Sequence, residues 1–215
     1  MKNISSNQKI VIVDYGMGNL RSVKMKFERM KYDSVISSDP EIVKNASHLI
    51  LPGVGHFAEG MKNISERGLR ESLDHAVIQR KVPILGICLG MQLLTRFSEE
   101  GNVNGLGWID ASTRKFDFNF SSNEVKYRIP HVGWNTIKIR RDSVLLEGIQ
   151  NLSRFYFTHS YAVQCEVETE SIAETEYGYS FSSIIQKDNI YGTQFHPEKS
   201  HQIGLKLIEN FIRKL

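Results

Sequence analysis

Through its first hundred residues the chain alternates short apolar runs with amphipathic stretches, and few folds accept that rhythm. "KIVIVDYG" (9–16) reads as a buried strand, a β-branched run halted at Asp-Tyr-Gly. In "GNLRSVKMKFERMKY" Leu20, Val23, Phe27 and Met30 recur at helical spacing. "SHLILPG" (47–53) reads as a second strand, and residues 66–80 as a helix with Leu69, Leu73, Ala76 and Val77 on one face. "VPILGI" is a third strand, and Leu89 to Phe97 the helix after it. Such alternation builds an α/β fold with an open, mostly parallel, flavodoxin-like sheet covered by helices on both faces.

From Gly101 to about Arg140 the rhythm breaks, and pieces such as "YRIPHVGWNTIKI" suggest an antiparallel edge or hairpin insertion. "RFYFTHSYAV", "YSFSSIIQ" and "IYGTQFH" read as three further strands. "GLKLIENFIRKL" closes the chain as a helix, with Leu207, Ile208, Phe211, Ile212 and Leu215 expected to face inward. At 215 residues without repeat or linker, one domain over 1–215 is the economical reading, with 1–8 a frayed extension. A net charge of +3, spread along the chain, gives little ground for a nucleic-acid partner, and no segment is apolar enough to enter a membrane. "MKNISSNQ" lacks the apolar stretch of a secretory signal, so a cytoplasmic location is expected, with Cys88 and Cys165 both reduced.

"VPILGICLGMQLL" (82–94) raises the chemical question, because it sets a cysteine between two glycines on a strand-to-helix turn. G-x-C-x-G matches the strained elbow that presents a nucleophile above a sheet. Gly86 and Gly90 let the turn close, the helix start favours thiolate, and the Leu89 N–H is placed to hold an oxyanion. Alone, the same pattern is as readily a buried structural cysteine beside packing glycines. A thiolate attacking a carbonyl needs a histidine. His196, in "GTQFHPEKS", ends the last strand, and Glu198 stands two residues on, where it can orient the ring. Alone, His-Pro-Glu is an ordinary strand-ending turn; beside the cysteine elbow, the triad reading overtakes it. "LILPGVGHF" (49–57) adds a glycine-rich loop suited to an oxyanion, though by itself it is a plain turn. His131 and His159 read as satisfied structural histidines, and no His/Cys/Asp spacing suggests a metal.

Together, "DYGMGNLRSV", "LPGVGHF", "GICLGMQLL", "PHVGWN", "YFTHSY" and "GTQFHPEKS" resemble the class I (triad) glutamine amidotransferases. The resemblance is closest to the HisH family, the glutaminase subunit of imidazole glycerol phosphate synthase. It implies that Cys88 attacks the glutamine side-chain amide, that His196 protonates the departing ammonia and then activates water, and that Glu198 orients His196. It implies an oxyanion hole from Gly53, Val54 and Leu89, and a grip on the amino-acid end of L-glutamine by Gln92, Ser160 and Tyr161. No cofactor is implied. A HisF-type (β/α)₈ synthase partner is, forming a heterodimer that Asn19 and Trp134 would face and into which ammonia is delivered. The resemblance further implies a glutaminase nearly idle until its partner binds a nucleotide, with the Gly53–Val54 peptide able to rest in either orientation. The alternative it leaves open is a HisH-like paralogue that supplies ammonia to amidinate a surface-polysaccharide sugar.

Overall fold

The computed structural model describes residues 9–118 and 127–215, so the expected frayed extension, 1–8, lies outside the described residues. Five strands form the parallel half of the main sheet: β1 (Ile10–Val13), β2 (Ser34–Ser37), β3 (His48–Gly53), β4 (Ile84–Cys88) and, late in the chain, β14 (Ile190–Thr193). They lie in the order β2-β1-β3-β4-β14. Their alternate residues are buried on opposite faces, Ile10, Ile12 and Ile50 on one and Val11, Val13, Leu49 and Leu51 on the other. A strand covered on both faces carries no polar side, which is why β1 and the centre of β3 are unbroken apolar runs.

Two helices between these strands follow their capping chemistry. Asn19 opens α1 (Leu20–Arg29) by accepting the Ser22 N–H at 3.1 Å, and Asp39 opens α2 (Pro40–Lys44), where Pro40 occupies a first-turn position that needs no N–H. The expected helix over 66–80 is corrected. The helices are α3 (Phe57–Glu66) and α4 (Leu69–Asp74), broken at Gly68 in the left-handed region, and a π-helical turn (His75–Gln79) follows. The four apolar residues assigned to that face, Leu69, Leu73, Ala76 and Val77, are all buried. The helix after Cys88, expected to reach Phe97, ends early. α5 spans only Leu89–Leu93, because Thr95–Ser98 leaves it to pair in the sheet as β5.

Beyond β14 the sheet continues through antiparallel and mixed pairings, β13 (Tyr179–Lys187), β11 (Tyr161–Cys165), β7 (Ile109–Lys115), β5 and β6 (Val103–Asn104). β12 (Ser171–Tyr177) pairs with β13 and with the short β9 (Lys138–Ile139). The expected antiparallel insertion is present, but "RFYFTHSYAV" is two strands. β10 (Arg154–His159) pairs with β8 (His131–Thr136) in a separate two-stranded sheet, and the chain crosses at Ser160 into β11 of the main sheet. α6 (His201–Lys214) closes the chain and buries Leu207, Ile208, Phe211 and Ile212, whereas Leu215 lies past its end and is exposed. Among the described residues no helix is long and apolar enough to cross a membrane.

Candidate active site

Cys88 is the last residue of β4 and the residue immediately before α5, with φ 56° and ψ −110°. A non-glycine side chain in that backbone region is strained. Two close approaches enforce the turn. A Cβ on Gly90 would come within 1.6 Å of the Leu51 carbonyl oxygen, and one on Gly86 within 2.7 Å of the Gly90 carbonyl oxygen and the Met91 nitrogen. Helix and strand therefore pack backbone to backbone, and the sulfur is directed out at the carboxyl ends of the strands. The sulfur lies 3.7 Å from the Thr158 carbonyl oxygen, to which it can donate, and 3.9 Å from Gln194 Nε2, from which it can accept.

His196 follows β14, next to β4 in the sheet. Its N–H donates to the Tyr156 carbonyl at 2.9 Å, and its carbonyl accepts from Ser200 Oγ at 2.7 Å. Ser200 Oγ in turn accepts the Tyr156 N–H at 3.0 Å, so the segment is fixed to β10. Nδ1 of His196 lies 2.7 Å from Glu198 Oε1, with both residues buried. With Nδ1–H donating to the carboxylate, Nε2 is left for the sulfur. Nε2 is buried and makes no formed hydrogen bond to any described residue, but Cys88 is close enough to act on its titration. Burial by itself would lower the imidazole pKa; the interactions with Cys88 and Glu198 outweigh burial and raise it to about 9. The sulfur, the imidazole and the carboxylate are thus brought together from positions 88, 196 and 198.

Cys88 opens into a cavity of about 300 Å³ whose walls include Val54, Leu89, Gln92, Ser160 and Tyr161, five residues expected around the substrate. Gly53 pairs in register with Cys88 at the ends of β3 and β4. Gln92 is buried and donates from Nε2 to the Tyr161 carbonyl at 3.0 Å and to Gln194 Oε1 at 3.1 Å. A wider depression of about 850 Å³, lined by Arg114, Lys115, Phe116 and Tyr179 among others, contains none of the triad, and the smaller cavity is the one the sulfur meets. The other two expected residues are at the surface, away from that cavity. Asn19 caps α1, and Trp134, 36% exposed, stacks on His201 with ring centroids 5.0 Å apart.

Sequence reasoning missed two contributors, Glu100 and Gln194, and a third residue, His159, is the satisfied structural histidine expected. Glu100 lines the cavity while its Oε2 accepts the Phe57 N–H at 2.8 Å. A carboxylate there can receive the ammonium group of an amino acid; "SEEGN" carries no pattern that marks it. Gln194 links Gln92 to the sulfur from two residues before His196. His159 lines the cavity, and its Nδ1 lies 2.8 Å from the Tyr161 carbonyl, with His131 Nδ1 3.0 Å from its Nε2. Burial lowers both histidines, His131 to about 4 and His159 to about 3, so they are neutral at pH 7 and act as fixed donors and acceptors.

The model of the family described as "Glutamine amidotransferase class-I" matches residues 11–215. The chain belongs to the class-I glutamine amidotransferases. Among relatives of this amidotransferase, "Imidazole glycerol phosphate synthase subunit HisH 2" of Methanococcus maripaludis is 51% identical over 95% of this chain and 99% of its own. "Imidazole glycerol phosphate synthase subunit HisH 1" of Campylobacter jejuni (strain RM1221) is 47% identical over the same 95% and 99%. The amidotransferase is therefore a member of the HisH family. A solved structure titled "Crystal structure of glutamine amidotransferase" superposes with a TM-score of 0.71 over 94% of this chain and 96% of that one. At 19% identity that likeness speaks for the fold, a mostly parallel mixed sheet with helices.

Proposed function

We propose that this amidotransferase hydrolyses the side-chain amide of L-glutamine through a Cys88 thioester and passes the ammonia to a HisF-type (β/α)₈ subunit in histidine biosynthesis. There the ammonia enters the ring closure that yields imidazole glycerol phosphate and an aminoimidazole carboxamide ribonucleotide. The observation that carries the reading is the buried His196–Glu198 pair set behind a cysteine on a strained turn. With the proton already on His196, the Cys88 thiolate adds to the amide carbon, and the oxygen gains the negative charge. The N–H groups of Leu89 and Val54 receive that charge. The tetrahedral species collapses, the C–N bond breaks, and His196 gives its proton to the departing nitrogen, leaving a thioester and ammonia. Water then loses a proton to His196 and adds to the thioester, and expulsion of the thiolate gives glutamate and restores the thiolate beside the imidazolium. Gln92, Ser160 and Tyr161 grip the amino-acid end, with Glu100 set to meet its ammonium. The enzyme acts in the cytoplasm as one domain, with Asn19 and Trp134 toward the partner.

The test is glutamate release measured against increasing HisF-type subunit, with and without its ribonucleotide ligand. A rate that rises steeply with the partner is expected. A chain fully active alone, and indifferent to the partner, would replace this reading with that of a free-standing cysteine hydrolase. Cys88→Ala should abolish glutamine hydrolysis while the complex still makes product from ammonium salt.

A further inference from the structure

Near Cys88 the mechanism leaves the buried Tyr15 unused and, among the described residues, unpaired. Tyr15, just beyond β1, is 0% exposed, and its hydroxyl has no hydrogen-bond partner among the described residues. An unpaired buried hydroxyl carries an uncompensated desolvation cost, and phenylalanine would fill the same space without it. The hydroxyl rests against Gly53. A Cβ built on that glycine would stand 2.1 Å from Tyr15 Oη, 2.9 Å from Leu89 Cβ and 3.1 Å from the Gly90 nitrogen. The oxygen is thus aimed where the end of β3 meets the turn after Cys88. Burial first, and the charge of Cys88 second, raise the phenol pKa well above its ordinary value, so the hydroxyl remains a donor throughout the working pH range.

We propose that Tyr15 is a positioning residue for the oxyanion site, its hydroxyl donating to the Gly53 carbonyl oxygen when the Gly53–Val54 peptide turns its N–H toward the cavity. That carbonyl carbon is bonded to the Cα on which the hydroxyl rests. Rotation at Gly53 ψ and Val54 φ swings the oxygen around that Cα while β3 stays in register. Lacking a Cβ, Gly53 is free to make the turn, and Gly55 beyond it, at φ +120°, absorbs the change in chain direction. In the present conformation the donor is unsatisfied, and in the turned one it is paired. The hydrogen bond therefore favours the arrangement in which the Val54 N–H faces the developing oxyanion. The inference rests on the glutaminase reading above and deepens it.

Tyr15→Phe tests it in the complex of the full chain with its HisF-type subunit and ribonucleotide. Four quantities are read: kcat and KM for glutamine, the melting temperature, and the rate at which iodoacetamide alkylates Cys88. kcat is expected to fall about tenfold or more, with KM held within about twofold. The melting temperature should stay or rise, because an unpaired hydroxyl has gone. Alkylation should be unchanged, because it develops no oxyanion. A wild-type kcat would overturn the proposal, as would a loss of kcat matched by slower alkylation or by a lower melting temperature. Glutamine hydrolysis surviving in Cys88→Ala would instead remove the nucleophile, and with it the premise, so the two failures are distinguishable.

Discussion

Replacing Glu198 by glutamine changes the charge of the site with little change of shape. His196 is 2% exposed and Glu198 5%, so water screens their attraction weakly. The imidazole pKa stands at about 9 against an ordinary 6.5, although burial pulls the other way. That rise is worth about 3 kcal/mol in favour of the imidazolium, shared between Cys88 and Glu198. With the carboxylate supplying part of that, the imidazolium that pairs with the thiolate loses on the order of 1–2 kcal/mol, and kcat falls about tenfold. An amide that turns its NH₂ toward Nδ1 would also present the wrong tautomer to sulfur, and loss of a triad's orienting carboxylate costs up to about 10⁴-fold. The alkaline limb of the pH profile, where His196 loses its proton, should move down by about one pH unit. Stability follows the same linkage. A histidine whose pKa is raised on folding contributes fully below its unfolded value of 6.5, and the contribution is lost as pH rises through about 9. Urea midpoints of wild type and Glu198→Gln should therefore differ most on the acid side of neutrality and converge in alkali. Glutamate release across the pH range, in the presence of the partner, reads the catalytic half. A wild-type kcat with the alkaline limb unmoved would refute the reasoning.

Gly90→Ala places a Cβ 1.6 Å from the Leu51 carbonyl oxygen, so the elbow must open or β3 must shift; a cost of about 3 kcal/mol or more is expected, read by denaturant titration, with loss of glutaminase activity in whatever remains folded. Glu100→Gln, which keeps the side-chain shape at the cavity wall, should raise KM for glutamine by about tenfold or more and kcat/KM should fall with it, as steady-state kinetics will show. His159 is neutral because burial depresses its pKa to about 3; the unfolded chain takes up that proton first as pH falls below 6.5, so His159→Gln should flatten the acid loss of stability by about 2 kcal/mol between pH 6.5 and about 5, measured as unfolding free energy at the two values.

The parallel half of the sheet was legible because burial on both faces writes itself as uninterrupted runs such as "KIVIVDYG" and "SHLILPG". The elbow was legible because only glycine survives at Gly86 and Gly90. What escaped depends on pairings that local pattern does not record. "MQLLTRFSEE" has helical spacing, yet Thr95–Ser98 is drawn into the sheet by β7, a strand that follows it in the chain. "RFYFTHSYAV" reads as one strand, yet its two halves belong to different sheets, and the crossover at Ser160 is what carries Ser160 and Tyr161 to the cavity wall. Glu100 shows no signal because its role comes from the approach of the Phe57 N–H, 43 residues away.

Three buried histidines around the site show what decides acid–base character here. Burial opposes charge on His131, His159 and His196 alike. His131 and His159 meet each other and a backbone carbonyl, partners equally content with a neutral ring, so desolvation prevails and the pair can only brace Tyr161. His196 meets the Cys88 thiolate on one side and a carboxylate on the other, and there desolvation loses. Exchanging the neighbours would shift the roles: a carboxylate beside His159 would put a titrating group in the substrate wall, and a carbonyl in place of Glu198 would weaken the hold of His196 on the proton meant for the departing ammonia. Burial is therefore common to all three rings, and the Cys88 sulfur together with the carboxylate two residues after position 196 is what makes one of them an acid.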